Sequence, residues 1–136
     1  MRMTRETTED TYWRQRLTPQ QYRVLRRKGT ELPFSGDYVH TTDDGVYRCA
    51  ACESALFSSE TKFDSGTGWP SFTDPADRDN IKLHEDRGLL MRRTEVTCAA
   101  CGGHLGHVFN DGPRGCDRYC INSAALTLDP AGHDAS

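Results

Sequence analysis

Two stretches of this chain end in the same four letters: VYRCAAC at residues 46–52 and VTCAAC at residues 96–101. In each, two cysteines stand three positions apart, so both thiols can face one ion, and a tetrahedral Zn²⁺ site takes four such ligands. The sequence therefore predicts a zinc site formed by Cys49, Cys52, Cys98 and Cys101. Four thiolates leave no open position for a substrate, which indicates a structural role. The alternative is a pair of redox-active disulfides, but two matched CxxC motifs favour metal.

Composition and charge narrow the class of protein. The chain has 136 residues, of which 35% are hydrophobic, and this suits one domain over residues 1–136. The net charge of −3 argues against a nucleic-acid-binding surface, although residues 1–28 are rich in arginine. No apolar run reaches the ~18 residues that a membrane helix needs. The polar N-terminus lacks the apolar core of a secretory signal, so we expect a cytoplasmic protein with reduced thiols.

Residues 8–28 have the pattern of two helices that are separated just before a proline. Thr18 is placed as an N-cap, with Pro19 at the first helical position and Gln21 closing a capping box. Gly29 predicts the end of the second helix. Since this segment contains no obvious catalytic group, we interpret it as a helical cover over a β core.

From residue 32 onward, glycines and prolines interrupt the chain at short intervals. The short apolar or alternating runs between them are typical of antiparallel β-strands. These runs are residues 46–49, 55–57, 89–92, 95–98, 106–109 and 119–128. The sequence thus predicts a mainly β domain, with residues 1–7 and 129–136 as frayed tails.

The last two cysteines lie in GCDRYCINSAAL, residues 115–126. If residues 118–126 form a strand, Arg118, Cys120 and Asn122 share one face. A guanidinium beside a thiol favours the reactive thiolate, so Cys120 is a candidate nucleophile. The alternative is a cysteine that fills a core position, since free cysteines are often buried.

Two histidines and one tryptophan are further candidates. His104 and His107 lie in HLGHVF, and because four cysteines already complete a zinc site, the imidazoles are available for acid–base chemistry. We interpret the remaining histidines as surface residues; they are His40, His84 and His133. Trp69 lies between a glycine-rich segment and a proline. These neighbours fit either an aromatic side chain presented from a turn or a core residue.

Together these motifs resemble the B-type methionine sulfoxide reductases, which reduce methionine-R-sulfoxide. The resemblance covers roughly residues 12–128, and its blocks follow the family's order. The blocks are ELPFSG at 31–36, GVYRCAAC at 45–52, KFDSG at 62–66, GWPSF at 68–72, HLGHVF at 104–109, DGP at 111–113 and RYCINS at 118–123. The resemblance implies two antiparallel sheets with short N-terminal helices packed on them, structural zinc on the four cysteines, and an enzyme of protein repair under oxidative stress.

The resemblance also implies the site. Cys120 would be the nucleophile, and Trp69 would pack against the ε-methyl group of the substrate. Arg118 and Asn122 would hold the thiolate and the sulfoxide. The acid and its hydrogen-bond support would come from His104, His107 and Asp111.

The implied reaction agrees with the chemistry of these groups. The Cys120 thiolate attacks the sulfoxide sulfur, and the oxygen takes a proton from an acid such as His107. The products are methionine and a sulfenic acid on Cys120. A thiol then converts the sulfenic acid into a disulfide, which is reduced from outside, in this family usually by thioredoxin.

One position departs from a common family pattern. Many members carry a resolving cysteine where this chain has Thr67, whereas Cys116 stands four residues before Cys120. A disulfide needs Cα atoms no more than about 6.8 Å apart, so this pair can close only if residues 115–118 form a turn. We expect Cys116 to be the resolving thiol; the alternative is direct attack on the sulfenic acid by an external reductant.

Two other classes of function fit parts of the sequence. A zinc-bearing β domain can be a binding module without catalysis, in which case residues 118–120 would be a structural strand. Cys116 and Cys120 could also serve a general disulfide oxidoreductase, which would act on protein disulfides without any sulfoxide. We expect a monomer that acts on oxidised proteins and binds neither nucleic acid nor membrane.

Overall fold

The computed structural model describes residues 8–87 and 92–130. The chain begins with two short helices, α1 at Thr8–Arg16 and α2 at Pro19–Arg27. The predicted capping box is present: the Gln21 N–H donates to Thr18 Oγ1, and the Thr18 N–H donates to Gln21 Oε1. The left-handed residue that ends α2 is Lys28, with φ 59°, one position before the predicted glycine.

Antiparallel strands make up most of the rest of the described chain. They are β1 Val46–Cys49, β2 Ala55–Ser58, β3 Lys62–Phe63, β4 Ser71–Phe72, β5 Ile81–Arg87, β6 Arg92–Cys98, β7 His104–Phe109, β8 Arg118–Ile121 and β9 Leu126–Asp129. The smaller sheet has the order β2-β1-β9, and the larger has the order β3-β4-β8-β7-β6-β5. The predicted mainly β fold of two antiparallel sheets with N-terminal helices is therefore confirmed.

Aromatic rings join the two sheets. Phe57 of the smaller sheet stacks on Phe72 of the larger sheet, with 4.5 Å between ring centroids. Tyr47 approaches Phe72 edge-on at 5.2 Å, and Tyr119 lies 5.7 Å from Phe57. All four rings are buried, and each such pair contributes about 0.5–1.5 kcal/mol beyond the area it buries. The core therefore lies between the sheets.

The helices cover one end of this core, as predicted. Val24 and Leu25 of α2 are almost fully buried, and α2 packs on β7 and on the 3₁₀ turn at Ser123–Ala125. Arg26 links the helix to the second CAAC motif, since its Nη1 donates to the Cys101 carbonyl at 2.8 Å. The helical cover thus braces both the second cysteine motif and β7, the strand that carries His104 and His107.

The structure corrects three boundaries. The predicted strand over residues 119–128 is wrong, because β8 ends at Ile121 and, after the 3₁₀ turn, β9 joins the other sheet. Asp129, expected in a loose tail, ends β9 and accepts from Arg48 Nε at 2.9 Å. Strand β5 was missed because it is a polar edge strand with Ile81 buried and residues 82–85 exposed. The predictions for residues 1–7, 89–91 and 131–136 lie outside the described residues.

Candidate active site

The four cysteines of the two CAAC motifs form one cluster. Their Sγ atoms all lie within 4.8 Å of one another, with 3.7 Å between Cys49 and Cys101 and 3.5 Å between Cys52 and Cys98. A tetrahedral site with Zn–S bonds of about 2.3 Å has sulfur–sulfur edges of about 3.8 Å. The donor set can therefore hold a metal, and its size fits zinc.

The two cysteine knuckles share one backbone geometry. The N–H of Glu53 donates to the Cys49 carbonyl at 2.8 Å, and the N–H of Gly102 donates to the Cys98 carbonyl at 2.8 Å. Both donor residues are left-handed, with φ 70° and 77° respectively. Each knuckle begins where a strand ends, so β1 of one sheet and β6 of the other meet at the cluster.

A cavity of about 290 Å³ lies beside β7 and β8. Its lining residues are Thr30, Thr67, Trp69, Arg93, Gly106, His107, Phe109, Arg118, Cys120 and Asn122. Five of the predicted site residues are thus brought to one cavity. Three others, His104, Asp111 and Cys116, do not line it. Thr30, Arg93 and Phe109 also line the cavity but were not predicted, because no local spacing in the sequence connects them with Cys120.

Cys120 is positioned by the close approach of β7 and β8. His107 and Cys120 are register partners on these strands, so their side chains project from the same face. A Cβ on Gly106, which pairs with Ile121, would collide with the Cys120 carbonyl oxygen. Gly106 therefore permits the strand spacing that places the thiol beside the imidazole.

The Arg118 guanidinium is fixed from two sides. Its Nε and Nη2 donate to the two carboxylate oxygens of Asp111 at 2.9 and 3.2 Å, and its Cζ lies 4.5 Å from the centroid of the Phe109 ring. The ion pair raises the pKa of Arg118 and lowers the pKa of Asp111. Arg118 also interacts electrostatically with Cys120. Asp111 thus supports Arg118, whereas the sequence analysis grouped it with the histidines.

His104 lies behind the cavity and is held by a carboxylate. It is buried, its Nδ1 lies 2.7 Å from Glu95 Oε2, and its ring meets the His107 ring edge-on at 5.5 Å between centroids. Burial lowers the pKa of His104 below 6.5, so at pH 7 the neutral ring donates its Nδ1 proton to the carboxylate. Burial alone would raise the pKa of Glu95, but the hydrogen bonds and charges of His104 and Lys28 lower it overall. Glu95 was not predicted from the sequence, because its inward-facing place on β6 depends on register.

Asn122 is buried and both ends of its amide bond the backbone. Its Oδ1 accepts from the Glu31 N–H at 2.9 Å, and its Nδ2 donates to the Leu105 carbonyl at 3.0 Å. The residue follows β8 and precedes the 3₁₀ turn, so strand alternation does not place it. Asn122 therefore fixes the wall of the cavity beside Cys120.

Glu31 joins three parts of that wall. Its carboxylate oxygens accept from the N–H groups of Ser123 and Ala124 at 2.8 and 3.0 Å. Its carbonyl accepts from Trp69 Nε1 at 3.0 Å, which sets the orientation of the indole in the cavity. Glu31 is 2% exposed. Glu31 lies in the ELPFSG motif, and the sequence predicted no role for it.

Cys116 lies in the loop before β8, and its thiol is exposed. The 3₁₀ turn at Pro113–Gly115 precedes it, and its own backbone is extended, with φ −81° and ψ 169°. Its N–H donates to the Pro113 carbonyl and its carbonyl accepts from the Gly112 N–H, both at 2.9 Å. The turn thus lies ahead of Cys116 instead of between the two thiols.

Of the remaining histidines, the two that the structure describes, His40 and His84, lie outside the lining of the cavity. His40 is exposed and 4.0 Å from Asp64, and His84 Nε2 lies 3.1 Å from Thr97 Oγ1. His133 is outside the described residues. Within the described residues no helix is long and apolar enough to cross a membrane.

A cysteine beside a guanidinium and an imidazole, in a cavity with an aromatic wall, is the arrangement expected of a thiol-based oxidoreductase. Comparison with known proteins gives the family. The SelR domain matches residues 17–130. The peptide methionine sulfoxide reductase MsrB of Methanosarcina mazei is 58% identical over 115 residues, covering 84% of this chain and 82% of the relative.

Other relatives agree. The MsrB of Agrobacterium fabrum is 52% identical, over 89% of this chain and 90% of its own length. The mouse mitochondrial methionine-R-sulfoxide reductase B3 is 53% identical over 87% of this chain, which corresponds to 47% of that protein. The chain therefore belongs to the SelR domain family of B-type methionine sulfoxide reductases and is an enzyme.

Proposed function

We propose that this enzyme reduces methionine-R-sulfoxide in oxidised proteins, with Cys120 as the nucleophile. The observation that carries the proposal is the position of Cys120 in the cavity, between Arg118 and its register partner His107, with Trp69 on the wall. The indole offers an apolar surface for the ε-methyl group of the side chain. The guanidinium favours the thiolate that attacks.

The first half of the reaction transfers one oxygen atom. The Cys120 thiolate attacks the sulfoxide sulfur while His107 protonates the oxygen, because charge builds on that atom. The S–O bond of the substrate breaks, and the hydroxyl group ends on the cysteine sulfur. Methionine is released, its sulfur reduced by two electrons, and Cys120 is oxidised to a sulfenic acid. His104, held by Glu95, orients the His107 ring from behind.

The second half returns Cys120 to the thiol. A thiol attacks the sulfenic acid, water leaves and a disulfide forms; thioredoxin or another dithiol then reduces that disulfide. We propose Cys116 as the resolving thiol. A bond between Cys116 and Cys120 needs their Cα atoms within about 6.8 Å, so the extended chain between them must bend. The two hydrogen bonds that hold the Cys116 backbone to residues 112 and 113 are those that would open.

We also propose that the four-cysteine cluster holds zinc in a structural role. Zinc would be held by Cys49, Cys52, Cys98 and Cys101, and it would supply a cross-link between the two sheets. The cluster lies apart from the cavity lining, so the metal takes no part in the oxygen transfer.

The nucleophile is tested with Cys120→Ser, assayed on a peptide that carries methionine-R-sulfoxide, with dithiothreitol as reductant. We expect the variant to lose turnover to background, since serine is a far weaker nucleophile. Cys116→Ser is the matched control, because the small thiol can replace an internal resolver. Retention of most activity in Cys120→Ser would refute the assignment.

The resolving thiol is tested with Cys116→Ser under two reductants. We expect thioredoxin-supported turnover to fall by about tenfold or more while dithiothreitol-supported turnover is kept, because only the first route needs an internal disulfide. Mass spectrometry after one turnover should detect a disulfide between residues 116 and 120 in the wild-type chain. Unchanged thioredoxin turnover without that disulfide would show that the reductant attacks the sulfenic acid directly.

A further inference from the structure

Three hydroxyl groups form a continuous chain that ends on the Cys120 sulfur. The Oγ atoms of Ser71 and Ser65 lie 2.7 Å apart, and Ser65 Oγ lies 2.7 Å from Thr67 Oγ1. Thr67 Oγ1 in turn lies 3.7 Å from Cys120 Sγ, within hydrogen-bonding reach for sulfur. At the far end, Ser71 Oγ lies 3.1 Å from the Trp69 carbonyl oxygen.

The fold holds this chain of hydroxyl groups in place. Ser71 is fully buried on β4 and is the register partner of Cys120 on β8. Ser65 and Thr67 flank Gly66, whose φ of 75° turns the backbone and whose N–H donates to Asp64 Oδ1. The Thr67 N–H also points at Ser65 Oγ. The hydroxyls therefore meet Cys120 without any need for the loop to rearrange.

A count of hydrogen atoms shows that the chain of hydroxyl groups has two hydrogen-bonding states. Each hydroxyl has one proton to donate, and four links run from Cys120 through Thr67, Ser65 and Ser71 to the Trp69 carbonyl. When Cys120 is a thiol, its own proton is the fourth, and every link is filled if each group donates toward the carbonyl. When Cys120 is a thiolate, it can only accept, so all three hydroxyls must turn toward the sulfur.

The reversal favours the thiolate. It gives up the neutral hydrogen bond from Ser71 to the Trp69 carbonyl and the weak hydrogen bond from the Cys120 thiol to Thr67. It gains a bond from Thr67 to a charged sulfur, and hydrogen bonds to ionised groups are roughly twice as strong as neutral ones. The proton leaves through the open cavity to water, since the far end of the chain is a carbonyl oxygen that takes up no proton.

We propose that Thr67 is a positioning residue for the nucleophile: its hydroxyl, backed by Ser65 and Ser71, stabilises and orients the Cys120 thiolate before attack. This inference rests on the proposed role of Cys120 in sulfoxide reduction. Many family members carry a resolving cysteine at this position; in this chain the same position serves the attack step instead.

The test measures how fast iodoacetamide alkylates Cys120 between pH 6 and 8, with substitutions that separate hydroxyl from shape. Thr67→Val keeps the β-branched shape and removes the hydroxyl, whereas Thr67→Ser keeps the hydroxyl. Trypsin cleaves after Arg118, so Cys116 and Cys120 fall on different peptides and Cys116 is an internal control. Thr127→Val, an exposed site on β9, is the control for the substitution itself.

We expect Thr67→Val to slow alkylation of Cys120 at pH 7 by roughly threefold to tenfold, since one hydrogen bond to a charged group is lost. The rise in rate with pH should move to higher pH, while Thr67→Ser stays close to wild type and Cys116 is unaffected.

Two outcomes would overturn the proposal. One is a Thr67→Val variant that alkylates like wild type; the other is equal slowing by Thr67→Val and Thr67→Ser, which would indicate shape and not the hydroxyl. Alkylation involves no sulfoxide, so the result is independent of the proposed function. If the wild-type chain failed to reduce a methionine-R-sulfoxide peptide, the proposed function would fail even where the alkylation pattern held.

Discussion

Removing the charge of Glu95 is expected to weaken the fold and its resistance to acid. Glu95→Gln keeps the size of the side chain but replaces the carboxylate that accepts from buried His104. A hydrogen bond to a charged group contributes about 1.5–3 kcal/mol and a neutral one about 1 kcal/mol. The Glu95 side chain is 10% exposed, so solvent screening removes little of this difference. We expect the free energy of unfolding at pH 7 to fall by about 0.5–2 kcal/mol.

The pKa shifts give the direction of the pH dependence. The pKa of His104 is lower in the folded chain than its ordinary value of 6.5, so its contribution to stability is present above pH 6.5 and is lost as the pH falls. The pKa of Glu95 is also lowered, from 4.5, so its contribution is lost at still lower pH. In Glu95→Gln, protonated His104 would lose its counter-charge. The loss of stability between pH 6.5 and about 5 should therefore be steeper in the variant.

Urea unfolding followed by circular dichroism from pH 5 to 8 measures both effects. Glu60→Gln, the same change at an exposed position on a 3₁₀ turn, is the matched control and should differ little from wild type. The explanation would be refuted if Glu95→Gln matched that control in stability at pH 7 and in its slope below pH 6.5. Sulfoxide turnover of the same variant should fall as well, because an amide, which can both donate and accept, fixes the tautomer of His104 less firmly than a carboxylate.

Three further changes probe the metal cluster and the walls of the cavity. Cys98→Ser should abolish stoichiometric zinc binding and lower the melting temperature, since metal binding is coupled to folding; a stable variant with full zinc content by atomic absorption would contradict this. Glu31→Gln should cost about 1–3 kcal/mol in urea unfolding, because its new amide group faces a buried backbone N–H; an unchanged midpoint would contradict the role of the carboxylate. Asp111→Asn should lower kcat/KM by roughly tenfold through a loosened Arg118, with little change in melting temperature. A large loss of stability with unchanged kcat/KM would show instead that Asp111 stabilises the fold and does not support catalysis.

Local features of the sequence were sufficient for the metal cluster and the capped helix. The two CAAC motifs and the capping box at Thr18 depend on spacings of three residues, which fix the geometry wherever the rest of the chain goes. The reactive cysteine could be singled out because Arg118 lies two residues away, a distance that strand alternation turns into a shared face.

Other features could not be found from local spacing. The strand pattern failed at Asn122 because β8 ends at Ile121, where the chain crosses to the other sheet. The edge strand β5 lacks an apolar signal because most of its side chains face solvent. In both cases the outcome depends on which strands are neighbours in a sheet, and that is a property of the whole fold.

By itself, then, the sequence determined the family, and it singled out the four clustered cysteines and Cys120 as the candidate nucleophile, since each depends on residue types at fixed short spacings. Only the tertiary structure decided what surrounds the nucleophile: Asp111 against Arg118, Glu95 against His104, and the hydroxyl chain from Ser71 to Cys120. These partners come from different strands and loops. Their meeting depends on the register of antiparallel strands, where a slip of one residue turns every side chain to the opposite face.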